Sequence, residues 1–130
     1  MEIDHITIPV LDYEAAKDFY SRALEPFGFS VLLDWHDHRR AYLGVHPNPS
    51  SIWLVESRKA GSVDLALAVG QPSDVDSYYA AFLAAGAGSV FEPGIRPERT
   101  RDYYAARVVD RDGNKLEFVH RGAVSARAAA

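Results

Sequence analysis

The chain has 130 residues, 48% hydrophobic and 25% charged, with Lys+Arg 14 against Asp+Glu 18 for a formal net charge of -4. That is enough for one domain, 1–122, with a real core, and it excludes disorder, a coiled coil and a collagen-like chain, while the mild acidity gives no footprint for nucleic acid or an anionic membrane. With Cys 0, disulfides, thiolate zinc sites, iron–sulfur clusters and cysteine nucleophiles are excluded, so any metal must rest on His, carboxylate or water.

Met1-Glu2-Ile3-Asp4-His5 lacks the basic start and apolar segment of a signal peptide, and no apolar run approaches the ~18 residues of a membrane span, which points to a cytoplasmic protein. Ile6, Ile8 and Val10 then alternate with His5 and Thr7 as a half-buried strand requires. Asp12 caps a helix to about Leu24, striped by Ala15, Ala16, Phe19, Tyr20, Ala23 and Leu24, and Pro26 and Gly28 stop it. Three strands follow, Phe29–Trp35, Arg40–Val45 and Ser51–Glu56, separated by polar turns at His36–Arg39 and His46–Ser50.

A displacement of 59 residues lays His5–Val10 on Asp64–Val69, Phe19-Tyr20 on Tyr78-Tyr79 and Leu24 on Leu83. A register shared by strand-like and helix-like stretches points to duplication. The second copy starts its helix at Gln71-Pro72-Ser73 and ends it at Gly86 and Gly88. A short strand near Ser89–Glu92, a long loop from Pro93 to Arg101, and strands at Tyr103–Asp110 and Lys115–His120 complete it. The turn Asp110-Arg111-Asp112-Gly113-Asn114 has hairpin chemistry, since Gly and Asn tolerate positive φ. The expected class is therefore α+β, two tandem βαβββ modules spanning 1–57 and 58–122, with a flexible simple-sequence tail at 123–130.

These modules, with a ligand-capable residue opening each and with Tyr104-Ala105-Ala106, Asp112-Gly113-Asn114 and Glu117 in the second, resemble the vicinal-oxygen-chelate superfamily over about residues 2–121. That group includes glyoxalase I, extradiol dioxygenases, bleomycin- and fosfomycin-resistance proteins and methylmalonyl-CoA epimerase. The resemblance implies sheets curled into a mostly antiparallel half-barrel cup around a divalent metal, a small oxygen-rich substrate chelated through neighbouring oxygens, and a homodimer.

By the same resemblance His5, Asp64 and Glu117 are the metal ligands. Asp64 departs from the usual His, and the fourth ligand position falls on Trp53, whose indole cannot bind a hard cation. One imidazole and two carboxylates favour Mn, Mg or Zn over Fe, which ranks ring cleavage below a glyoxalase-like lyase or isomerase. In that enzyme Asp64 or Glu117 serves as ligand or as general base. Two buried carboxylates also require compensation, by a metal or a proton.

The competing reading is a metal-free, drug-sequestering binding protein with Trp53, Tyr104 and Trp35 as an aromatic cup. Arg96, Arg99 and Arg101, in the long loop, offer a clamp for a substrate carboxylate or phosphate, or simply surface charge. Parity puts one of Tyr103 and Tyr104 inside and leaves open which. His36 and His38 read as a solvated turn and His120 as a strand-end residue. A purely structural dimer is the third possibility.

Overall fold

The computed structural model describes residues 1, 3–47, 51–59 and 61–122; the expected tail at 123–130 and residues 48–50 of the expected turn lie outside the described residues. The chain runs β1 (His5–Val10), α1 (Tyr13–Leu24), β2 (Ser30–Trp35), β3 (Arg40–Gly44), β4 (Ser51–Glu56), β5 (Asp64–Ala68), α2 (Pro72–Ala85), β6 (Gly88–Ile95), β7 (Tyr103–Val109) and β8 (Lys115–Arg121). The strands form two four-stranded mixed sheets ordered β1-β4-β3-β2 and β5-β8-β7-β6. In each, the first and last strands of a βαβββ module pair parallel and the other two pairings are antiparallel. The expected α+β class and the doubled βαβββ pattern are therefore present. The chain divides into two compact units, one of Met1–Val63 with Asp112–Asn114, the other of Asp64–Arg111 with the chain from Lys115.

In the first unit, α1 begins where Asp12, in extended backbone, accepts hydrogen bonds from the N–H groups of Glu14 and Ala15. This satisfies donors that an α-helix leaves unpaired at its start. Its stripe of Ala16, Phe19, Tyr20, Ala23 and Leu24 is buried, as are Ile8, Val10, Ala41, Leu43, Ile52 and Leu54 of the sheet. After a 3₁₀ turn at Glu25–Phe27, Gly28 takes a left-handed φ of 87°, which a side chain would strain. On the opposite sheet face, register aligns Thr7, Trp53, Tyr42 and Leu33 in one row, and Pro9, Val55, Arg40 and Trp35 in the next. Asp112–Asn114 complete this unit. Buried Asn114 accepts from the Val63 N–H and donates to the Pro9 carbonyl, both at 2.9 Å, and Asp112 accepts from the Leu11 N–H at 3.1 Å.

In the second unit, α2 opens on Pro72, suited to a first turn whose N–H has no partner, and ends at Gly86, whose N–H returns to the Leu83 carbonyl. Tyr78 and Phe82 of α2 pack on Phe118 with centroids 5.0 and 5.1 Å apart. One element differs from expectation: β6 runs through Pro93 and Gly94 to Ile95, so the long loop shortens to 96–102. Pro93 is tolerated because β6 is an edge strand with register shifts between Ser89 and Gly94, where a missing N–H costs no ladder bond.

Candidate functional site

Glu117 alternates with Leu116 and Phe118 on β8 and stands opposite Ala66 on β5 and Arg107 on β7; Phe91 of β6 continues the row. Glu117 is only 2% exposed, so its charge must be answered inside the unit. Arg107 does so: its Nε donates to Glu117 Oε1 at 3.1 Å, and Nη2 donates to Asp64 Oδ1 at 2.9 Å. The other Glu117 oxygen accepts from the Tyr103 hydroxyl. Burial, and then the hydrogen bond and charge of Glu117, push the Tyr103 phenol up from its ordinary pKa, which keeps it a proton-bearing donor. The guanidiniums of Arg121 and Arg99 lie 5.0 and 5.7 Å from the Tyr103 ring centroid.

Only Glu117 needs the compensation expected of two buried carboxylates, because Asp64 is exposed, and an arginine supplies it. This bears on the metal. One guanidinium already spans both carboxylates, and both Glu117 oxygens are engaged, so a divalent ion would face electrostatic repulsion and compete for occupied lone pairs. This donor set does not fit a divalent cation while Arg107 is in place. Among the described residues no group of three or more His, Asp or Glu side chains is arranged to hold a metal ion. His5, in the first unit, is exposed, with Nδ1 2.8 Å from Asp4 Oδ1.

The other expected site residues divide in the same way. Trp53 meets Tyr42 edge to face, with centroids 4.7 Å apart, on the sheet face opposite the buried core. Tyr104 has the parity of buried Ala106 and Val108, and its hydroxyl donates to Asp76 on α2 at 2.6 Å. That hydrogen bond, with burial, raises its pKa. The tyrosine beside Glu117 is thus Tyr103, which the sequence left undecided, and Tyr104 is spent on holding a helix. Arg96 lies over the Phe91 ring at 3.6 Å; Arg101 is exposed in the 96–102 connection.

His36 and His38 form no pair. His36 Nδ1 is 2.8 Å from the Tyr13 hydroxyl, and the His38 ring lies tilted against Trp35 with centroids 3.9 Å apart. His120 Nδ1 sits 3.4 Å from the Val69 carbonyl. A cavity of about 120 Å³ in the first unit, lined by residues including Pro9, Ser57, Lys59 and Asp112, lies among none of the expected site residues.

Sequence reasoning missed Arg107. The hairpin held the signal: residues equally far from its turn face each other, which sets 107 against 117.

The sequence profile of the Glyoxalase/Bleomycin resistance protein/Dioxygenase superfamily matches residues 2–118. The chain belongs to this superfamily. Among solved structures it is similar to a glyoxalase/bleomycin resistance protein from Albidiferax ferrireducens, at 24% identity and a TM-score of 0.72 over 92% of this chain and 98% of that one. It is also similar to a superfamily member from Sphaerobacter thermophilus, at 20% identity and 0.68 over 93% and 98%. A third is TnmS3, an antibiotic binding protein from a Streptomyces species, at 26% identity and 0.68 over 94% and 97%. No curated protein sequence matches. Among the described residues no helix is long and apolar enough to cross a membrane.

Proposed function

We propose that this superfamily member binds a small molecule without a metal, as the drug-sequestering members do. The observation that carries the reading is Arg107, which sits on Asp64 and Glu117 where the superfamily resemblance implies a divalent cation. A fixed guanidinium balances charge but offers no open coordination position for chelating substrate oxygens. The likeness to TnmS3, itself an antibiotic binding protein, supports the same direction.

The rival is a lyase or isomerase using Mn, Mg or Zn on His5, Asp64 and Glu117, and it requires Arg107 to leave both carboxylates. Calorimetric titration of EDTA-stripped protein with Zn²⁺ and Mn²⁺ separates the two. The expected result is no saturable binding and an unchanged melting temperature. One ion per chain, lost in Glu117→Gln, would overturn the proposal in favour of the enzyme. The pairing of two copies that the resemblance implies is retained; a light-scattering mass of one chain would remove it.

A further inference from the structure

The cavity at the end of β1 has walls that carry charge of both signs. Pro9, Leu11, Ser57, Lys59, Gly61 and Asp112 line it, all within the first unit, and its volume is about 120 Å³. Much of the backbone around it is already paired. The Pro9 carbonyl accepts from Asn114, the Val10 carbonyl accepts from the Ser57 N–H at 2.8 Å, and the Leu11 N–H donates to Asp112 Oδ1 at 3.1 Å. The Lys59 N–H donates to Ser57 Oγ at 3.3 Å, which leaves the hydroxyl proton of Ser57 for another acceptor.

A ligand therefore meets side-chain chemistry here. Ser57 offers a hydroxyl proton and Lys59 an ammonium, while the Asp112 carboxylate has more lone pairs than the Leu11 N–H takes up. The two charges do not neutralise one another: among the described residues Lys59 forms no ion pair with Asp112 or with any other carboxylate. A cation and an anion on one cavity, held apart, match a molecule that carries the same two charges in reverse on a short link. Gly61 adds no side chain to the wall, and a methyl group there would meet nothing within 4 Å, so the link has space. Size bounds the choice. A cavity of roughly 150 Å³ holds the six heavy atoms of benzene, so this one suits about five.

We propose that this cavity binds a small α-amino acid as its zwitterion. The ligand carboxylate pairs with Lys59 and accepts from the Ser57 hydroxyl, and the ligand ammonium donates to Asp112. A simple carboxylate would face Asp112 with no cation between them, and a simple amine would face Lys59 in the same way. The cavity shares no residue with the row of Glu117 and Arg107, so this assignment goes beyond the function proposed above and stands whether or not a metal binds there.

The test is an NMR titration of the ¹⁵N-labelled full chain with glycine, against acetate and methylammonium, which each carry one of its two charges. Saturable shifts centred on the amides of Leu11, Lys59 and Gly61 are expected, with an affinity in about the millimolar range and both controls about tenfold weaker. Asp112→Asn, whose amide oxygen can still accept from Leu11, should weaken glycine about tenfold without weakening acetate. Lys59→Gln should weaken glycine about tenfold without weakening methylammonium, and Ser57→Ala should cost glycine about threefold. General loss of structure would weaken every ligand together, and Lys59 is exposed, so its replacement tests the site even if Asp112→Asn disturbs the strand end.

Shifts that climb without saturating, shifts centred elsewhere, or acetate or methylammonium binding as tightly as glycine would overturn the assignment. So would glycine binding that is indifferent to Lys59→Gln.

Discussion

The two units build the same βαβββ sheet and place their charges on opposite sides of it. In the first, the row Thr7, Trp53, Tyr42, Leu33 has an aromatic pair at its centre; in the second, the corresponding row Ala66, Glu117, Arg107, Phe91 has an ion pair there. Two ion pairs of the first unit instead lie beside Tyr13. Lys17 meets Asp34 at 2.6 Å, Arg39 grips Glu56 at 2.9 Å, and the Tyr13 hydroxyl donates to Asp34. The second unit puts its aromatic packing there, with Tyr78 and Phe82 on Phe118. A duplicated backbone thus holds two different chemistries, because strand pairing fixes where a side chain points and leaves its character free.

The largest effect should come from breaking the ion pair on one side only. Arg107→Met strands a buried carboxylate and should cost about 3 kcal/mol in urea unfolding. Arg107→Met with Glu117→Leu, which makes the second row apolar like the first, should recover most of that loss. A double variant no more stable than the single one would show that the row tolerates only charge.

Next, Tyr103→Phe removes a hydrogen bond to a charged acceptor and should cost about 2 kcal/mol by the same measurement. The helix starts give a smaller contrast. Asp12 caps α1 with its side chain and Gln71 does not cap α2. Asp12→Ala should lose about 1 kcal/mol and Gln71→Asp should gain about 0.5 kcal/mol.

Acid should act most weakly, and on the first unit. Lys17, then Tyr13, holds Asp34 below the usual carboxylate range, and Arg39, then the Tyr13 N–H, does the same for Glu56. Carboxylates depressed in the folded state contribute their stability fully above their ordinary pKa values and lose it as pH falls through the depressed ones. Asp34→Asn with Glu56→Gln should therefore flatten the acid limb of the stability curve measured by urea unfolding against pH.

Local signals were legible in the sequence. Asp12 capped where its position before an apolar stripe required, and the strand alternation placed Glu117 opposite to Leu116 and Phe118. β6 was hidden because Pro93 argues against a strand unless that strand is known to be an edge, and edge position is a property of the whole sheet. The choice between Tyr103 and Tyr104 was hidden for a related reason, since parity gives two faces and only packing names the buried one. Arg107 was overlooked because a charged residue within a strand suggests solvent until its cross-strand partner is also seen to be buried.

Asn114 bears on how divisible this molecule is. Its amide joins the Pro9 carbonyl to the Val63 N–H, yet it is encoded at the far end of the second repeat. A polypeptide ending at Val63 would carry every strand of its own sheet and still lack the plug that closes its final turn. Residues 1–63 produced as an independent polypeptide should therefore show less ordered structure by circular dichroism than the same residues mixed with residues 64–122, which restore that amide.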